Sequence, residues 1–126
     1  MKVYDASAIV ALIKSEPGAD LVAEALLVDD AWVGAVSWCE IVTPLVDGDA
    51  QESAVLEALA PLDLHIEPLN TGVALIAARL RPVSRSLGLS LGDRCCLASA
   101  QARGAQALTA DRTWKKLKGF DLLVIR

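Results

Sequence analysis

Short apolar segments alternate with longer segments of helical periodicity along this chain, and this alternation predicts an α/β fold. The predicted strands are too short and too apolar to be half exposed, which is typical of a parallel sheet covered on both faces. The chain has 126 residues, of which 54% are hydrophobic, and no linker or repeat divides it. We therefore predict a single domain over residues 1–126, with a central, mostly parallel sheet and helices on both faces.

The first half of the chain is predicted to contain two strands and four helices. Val3–Tyr4 and Ala31–Val36 are the strands, because both are apolar and short. The helices are Ala6–Ile13, Ala19–Leu27, Ser37–Val46 and Ala50–Leu62. Glu16-Pro17-Gly18 separates the first two helices, since proline and glycine interrupt helical structure.

The second half is predicted to contain three strands and three helices. The strands are Leu64–Pro68, Ala107–Thr109 and Leu122–Ile125. Asn70 caps a helix that runs toward Arg85, and Pro82 should kink this helix or end it early. The other two helices are Ser90–Ala102, which Gly104 closes, and the short segment Arg112–Leu117.

Composition and cysteine spacing exclude several classes of protein. The longest uninterrupted apolar runs, such as Ala8–Ile13, are far shorter than the roughly 20 residues of a membrane helix, so no membrane span is expected. Cys39, Cys95 and Cys96 have no disulfide or zinc spacing, and we expect all three to be small buried side chains in a reducing compartment. The amino-terminal residues do not form a signal peptide, so a cytoplasmic protein is expected.

Charge is divided unevenly between the two halves of the chain. Residues 1–76 carry thirteen acidic and two basic side chains, whereas residues 77–126 carry ten basic and three acidic ones. Such a division is typical of a protein that binds a polyanion or an oppositely charged protein. A solvated basic surface explains the division equally well, and the sequence alone leaves both interpretations open.

Four carboxylates lie at or near predicted helix starts. Asp5 follows the first strand, and Glu40 lies shortly after the second. Asp111 follows a late strand, and Asp93 lies in the first turn of a helix. Right-handed crossovers place strand-to-helix junctions at one edge of a parallel sheet, which is the edge where ligands bind in such folds. We therefore predict that these four carboxylates converge.

Each of these acids also has a purely structural explanation. Glu40 and Asp93 each stand three residues after a serine, which is the spacing of a capping box. Asp5 and Asp111 are suited to be N-caps. Capping does not require four carboxylates to converge, whereas converging carboxylates repel one another unless a cation lies between them. Oxygen ligands without histidine or thiolate point to Mg²⁺, for which Mn²⁺ is expected to substitute.

Two hydroxyl side chains and one histidine complete the candidate set. Ser7 and Thr109 lie two residues from acids, where they are suited either to hold water on a metal ion or to hydrogen-bond at helix and strand ends. His65 lies in a predicted strand without a partner motif and is expected to be structural. Acids around Mg²⁺, with no glycine-rich phosphate loop and no Ser/His or Cys/His pair, favour attack of metal-activated water on phosphorus.

Five motifs, in order over the full length, resemble those of a known family. They are Val3–Ala8 (VYDASA), Glu16–Gly18 (EPG), Val36–Glu40 (VSWCE), Gly88–Asp93 (GLSLGD) and Leu108–Arg112 (LTADR). The chain resembles the PIN-domain ribonucleases of the VapC toxin type, which have a three-layer α/β fold. In two departures from the family pattern, Gly92 stands where alanine is common and Cys95-Cys96 replaces a pair of small apolar residues.

The resemblance implies an activity, a cofactor and partners. It implies that the Mg²⁺-binding catalytic acids are Asp5, Glu40, Asp93 and Asp111, and that Ser7 and Thr109 support them. It also implies cleavage of RNA that leaves a 3′ hydroxyl, neutralisation by a cognate VapB-like antitoxin, and a homodimer of the toxin.

The basic segment after Asp111 is predicted to contact the RNA. Arg112, Lys115 and Lys116 lie on a short helix that begins beside a candidate metal ligand, so their side chains should reach the flanking phosphates. In the alternative interpretation they are solvated or face a partner subunit.

Three other functions fit parts of the pattern. A phosphotransferase of the haloacid-dehalogenase type also has an aspartate after its first strand, but it needs a second carboxylate where Ser7 stands. A phospho-receiver domain needs paired acids before its aspartate and a lysine after a late strand, which this chain lacks. A non-catalytic PIN-like protein-interaction module is the alternative function.

Overall fold

The sheet consists of five parallel strands in the order β3-β2-β1-β4-β5. The computed structural model describes all residues from Met1 to Arg126. The strands are β1 Lys2–Tyr4, β2 Ala31–Gly34, β3 His65–Glu67, β4 Gln106–Thr109 and β5 Leu122–Val124. Every pair of neighbouring strands is parallel, which confirms the predicted sheet.

Seven α-helices connect and cover the strands. They are α1 Ala6–Ile13, α2 Ala19–Val28, α3 Ala35–Asp47, α4 Glu52–Leu59, α5 Thr71–Arg79, α6 Arg81–Ser84 and α7 Leu91–Arg103. Three 3-10 segments, Ala60–Leu62, Arg85–Leu87 and Arg112–Lys116, complete the secondary structure. None of the helices is both long enough and apolar enough to span a membrane.

Alternate strand residues pack into two separate cores, one on each face of the sheet. Tyr4 and Leu108 belong to the core beneath α1 to α4. Their strand neighbours Val3 and Ala107 belong to the core beneath α5 and α7. Successive side chains of a strand point to opposite faces, so this arrangement makes the fold three-layered, as predicted.

The strand order places a topological switch point between β1 and β4. The chain moves outward from β1 through β2 to β3 and then returns to β4 on the opposite side of β1. Ligands of open parallel sheets bind outside the carboxyl ends of the strands at such a point. Asp5 directly follows β1, and Asp111 follows β4 by two residues, so both lie at this position.

Some element boundaries differ from those predicted. The helix predicted from Ser37 begins at Ala35, and Gly34 is its N-cap, so Ser37 is not a capping residue. The helix predicted from Asn70 toward Arg85 ends at Arg79, and α6 begins at Arg81 with Pro82 in its first turn. Proline fits a first turn because it has no N–H to donate there.

The prediction of three buried cysteines is wrong for one of them. Cys39 is exposed on α3, whereas Cys95 and Cys96 are buried. Burial raises the pKa of both buried thiols, which keeps them neutral.

The hydroxyl of Tyr4 is buried without a hydrogen-bond partner. Burial, with a smaller contribution from the charge of Asp29, raises the pKa of Tyr4 to about 12. An unpaired buried hydroxyl costs about 1–3 kcal/mol of desolvation, so we expect Tyr4→Phe to leave stability unchanged or to raise it by about 1 kcal/mol. Urea denaturation of both proteins measures this. A loss of more than about 1 kcal/mol would show that the hydroxyl has a stabilising partner.

Candidate active site

Asp5 is the buried centre of the carboxyl edge of the sheet. Its side chain is only 4% exposed. Two hydroxyls donate hydrogen bonds to its Oδ2 atom, Ser7 Oγ at 2.5 Å and Thr109 Oγ1 at 3.0 Å. Asp5 occupies the N-cap position of α1 but makes no side-chain cap hydrogen bond. Asp5 is therefore the N-cap residue by position, as predicted, but its carboxylate is held by the two hydroxyls.

The same two hydroxyls tie the end of β1 to the loop after β4. Ser7 Oγ accepts from the backbone N–H of Ala110 at 2.9 Å, and Thr109 Oγ1 accepts from that of Asp111 at 3.1 Å. Each hydroxyl thus donates to Asp5 and accepts from the loop that carries Asp111. Ser7 and Thr109 consequently fix the position of Asp5 relative to this loop.

The charge of Asp5 is unfavourable in this environment. Burial raises the pKa of Asp5 above its ordinary value, and the nearby charge of Asp93 raises it further. The hydrogen bonds from Ser7 and Thr109 act in the opposite direction. A carboxylate held in this way has lost much of its hydration and would be stabilised by a neighbouring cation.

Glu40 reaches the same place from the second turn of α3. Burial raises the pKa of Glu40, and the charges of Asp5 and Asp93 add to the shift. Its carboxylate lies over the first turn of α7, where a Cβ on Gly92 would overlap Oε1 of Glu40. The glycine at position 92, where the family commonly has alanine, therefore leaves room for the Glu40 carboxylate. The predicted capping box at Glu40 is wrong, because α3 begins two residues before Ser37.

Asp93 and Asp111 are engaged in local hydrogen bonds. Asp93 Oδ2 accepts from the backbone N–H of Ser90 at 2.8 Å, and Ser90 Oγ accepts in return from that of Asp93 at 3.2 Å. This is the predicted capping box. Asp111 Oδ1 accepts from both the backbone N–H and the hydroxyl of Thr113, at 2.9 and 2.8 Å. Each of the two carboxylates keeps its other oxygen free of protein hydrogen bonds.

The four acids thus form an unequal group. Asp5, Glu40 and Asp93 act on one another electrostatically, whereas Asp111 is not among the charges that act on Asp5 or Glu40. In this conformation no group of three or more acidic, histidine or cysteine side chains is arranged to hold a metal ion. The donor set nevertheless consists of carboxylate oxygens with surplus negative charge, which suits a hard divalent cation.

One carboxylate at the same edge stays outside the group. Glu67 ends β3, but Arg103 Nη2 lies 2.8 Å from its Oε1, and Ser99 Oγ donates to its Oε2 at 2.5 Å. Burial alone would raise the pKa of Glu67, but the bonds from Arg103 and Ser99 hold it below its usual value. Glu67 is therefore neutralised by α7.

His65 takes part in packing rather than in the acidic group. Its ring stacks on Trp32, with ring centroids 4.8 Å apart, and the guanidinium carbon of Arg103 lies 3.5 Å from the centroid of the same Trp32 ring. The contacts agree with the structural role predicted for His65.

The sequence of the chain matches the family model of the PIN domain over residues 2–119. The chain belongs to the PIN-domain family. This PIN protein has no match among the curated proteins. The family and the fold that the resemblance implied are therefore confirmed.

Several solved structures share the fold of this PIN domain. A toxin–antitoxin complex from Klebsiella pneumoniae has a chain with a TM-score of 0.79 and 19% identity, with 100% of this chain and 98% of that chain covered. A chain of VapBC-1 from nontypeable Haemophilus influenzae has a TM-score of 0.74 and 16% identity, with 97% of this chain and 96% of that chain covered. A chain of VapBC-5 from Mycobacterium tuberculosis has a TM-score of 0.66 and 25% identity, with 99% of this chain and 97% of that chain covered.

Proposed function

We propose that this PIN domain is a metal-dependent endoribonuclease, and that its 126 residues act as a single catalytic unit. The observation that carries the proposal is the buried Asp5 carboxylate at the switch point, held by Ser7 and Thr109 and close to the charges of Glu40 and Asp93. A structural acid would be exposed or paired with a cation, as Glu67 is with Arg103. A buried, unpaired carboxylate with like charges beside it is typical of a functional site.

The residues proposed to hold Mg²⁺ are Asp5, Glu40, Asp93 and Asp111. When bound, the ion would lower the pKa of a water molecule and offset the charge that develops on the phosphodiester. Ser7 and Thr109 orient Asp5, and their hydroxyl hydrogens are already committed to it. Asp93 and Asp111 would present their free oxygens, while their other oxygens keep the cap hydrogen bonds. Mn²⁺ accepts the same ligands and should substitute.

We also propose that an antitoxin controls the nuclease, in the manner of a VapC-like toxin. The solved relatives are described as toxin–antitoxin and VapBC complexes, which supports a protein partner. A groove of about 420 Å³ between α1, α3 and α4 is lined entirely by nine hydrophobic residues. Acidic side chains, including Asp47, Asp49 and Glu52, lie along the same segments. An amphipathic antitoxin segment with apolar anchors and basic flanks would fit this groove.

Three further expectations remain proposals for this chain. RNA contacts of Arg112, Lys115 and Lys116 are consistent with their exposure next to Asp111. The homodimer and the cytoplasmic location stay predictions from the sequence.

Metal removal tests the proposed activity. We expect purified protein to cleave an unstructured RNA in Mg²⁺ or Mn²⁺ and to lose this activity in EDTA, because no cation then remains to activate the attacking water. Readdition of either ion should restore cleavage. Ca²⁺ is the control ion and should not restore it, because it is larger and less strict in its coordination geometry. Undiminished cleavage in EDTA would contradict metal dependence. Complete inactivity under all conditions, together with tight binding of a protein partner, would favour the non-catalytic module.

A further inference from the structure

Two stretches of the chain combine many basic side chains with a complete lack of acidic ones. No aspartate or glutamate occurs in residues 68–92 or in residues 112–120. Together these stretches carry seven exposed cations: Arg79, Arg81, Arg85, Arg112, Lys115, Lys116 and Lys118. None of the seven takes part in any of the four ion pairs of the protein. Their charge is thus available to an outside partner.

A groove of about 610 Å³ separates these two stretches. One wall comes from the buried Leu80, from α6 and from the 3-10 segment after it, and Val83 of α6 exposes apolar surface to the groove. The opposite wall runs from Lys116 to Phe120, and Gln101 of α7 also lines the groove. Lys116 and Lys118 are the charged lining residues. The groove therefore combines an apolar surface with positive charge on one side.

The two walls of the groove lead away from the acidic edge of the sheet. The 3-10 segment Arg85–Leu87 precedes the Ser90–Asp93 capping box by two residues, and the 3-10 segment Arg112–Lys116 directly follows Asp111. These two 3-10 segments contact each other. Gln101 lies in the last turn of α7, whereas Asp93 lies in its first turn, so the groove is separated from the acids by most of the length of that helix.

We propose that this groove binds the single-stranded RNA that flanks the cleaved bond, a subsite that rests on the proposed nuclease function. Lys116 and Lys118 contact successive phosphates, and a base packs on Phe120 beside Leu117. Bases of a single strand can stack on aromatic side chains, whereas bases of a duplex are already stacked on each other. The groove thus gives a function to two of the ten basic residues in the second half of the chain.

Anisotropy of a labelled oligouridylate of about twelve nucleotides, which covers the site size of a typical single-strand groove, tests the proposal. The full chain is titrated in EDTA, where the RNA is not cleaved, at several salt concentrations. Lys116→Ala and Lys118→Ala should each reduce the slope of log K against log salt by about 0.7, because one phosphate contact is lost. Lys14→Ala, which removes an exposed lysine on the turn after α1, is the matched control and should leave the slope unchanged.

Phe120→Leu separates stacking from charge. It keeps an apolar side chain at a half-buried position, so the fold should be retained, as thermal melting in the absence of RNA would confirm. We expect it to weaken binding about tenfold without a change in the salt slope, since a stacked base and no phosphate contact is lost.

The outcomes distinguish the subsite from the nuclease. RNA binding and salt slopes equal to those of the wild type in all three groove variants would overturn the proposal, even if cleavage in Mg²⁺ is normal. If the variants instead change only the sedimentation of the free protein, the groove is an interface between two copies of the chain, which also overturns it. The expected binding changes in a protein that never cleaves RNA would support the subsite while contradicting the proposed nuclease.

Discussion

Replacing Asp5 with asparagine is expected to reduce RNA cleavage by at least about 100-fold, the effect typical of losing one preorganised electrostatic contact to the reacting groups. Asparagine keeps a side-chain oxygen that accepts from Ser7 and Thr109, so the hydroxyl arrangement should survive. Rates on an unstructured RNA in Mg²⁺ measure the effect. Asp20→Asn, an exposed change on α2, is the control and should cleave at the wild-type rate.

Although Asp5→Asn should lose cleavage activity, it should not lose thermal stability. The folded-state pKa of Asp5 is raised by burial and by Asp93, so the ionised side chain destabilises the metal-free fold at neutral pH. Asp5→Asn removes this charge, and its Tm in EDTA should equal or exceed that of the wild type. Mg²⁺ should raise the Tm of the wild type more than that of the variant, because a ligand stabilises the fold to which it binds. In the cleavage experiment, a wild-type rate of RNA cleavage by Asp5→Asn would exclude Asp5 from the active site.

Replacing Gly18 with alanine is expected to destabilise the fold by about 3 kcal/mol, through left-handed backbone strain together with overpacking. Gly18 has φ +93°, and a Cβ there would lie 2.5 Å from the carbonyl oxygen of Ile125. Ile125 cannot easily retreat, because its backbone N–H donates to the carbonyl of Thr109 at 2.9 Å. Urea denaturation measures the loss.

Gly104→Ala is the matched control for this substitution. Gly104 also has a positive φ, +60°, but no atom lies within 4 Å of the Cβ position. It should therefore lose only about 1 kcal/mol, from backbone strain alone. Equal losses at the two positions would contradict the role assigned to the contact with Ile125.

Much of the fold was predictable because local patterns and tertiary packing agree. The apolar strands, the break at Pro17-Gly18, the interruption at Pro82 and the closure of α7 at Gly104 all follow from backbone preferences of single residues. The start of α3 was not predictable in this way. Gly34 takes extended angles and precedes the helix, whereas the sequence offered the better-known capping residue, Ser37, three positions later.

For the candidate site, the sequence predicted positions better than contacts. Asp5 and Asp111 were assigned to one edge because parallel strands end together, and the switch point confirms where they lie. The pairing of Ser7 and Thr109 on one oxygen of Asp5 joins residues about a hundred positions apart, so no local pattern encodes it. The passage of Glu40 over Gly92 likewise depends on how α3 packs on α7.

By itself, the sequence determined the parallel α/β architecture, the uneven distribution of charge and the set of carboxylates at the ends of the strands. These properties depend on residue type and on spacing along one segment, which local physics governs. Only the tertiary structure decided that Asp5 is buried while Glu67 is neutralised by Arg103, that Cys39 is exposed, and that two basic stretches form the walls of one groove. Burial and pairing arise between segments distant in sequence, and so only the packed chain determines them.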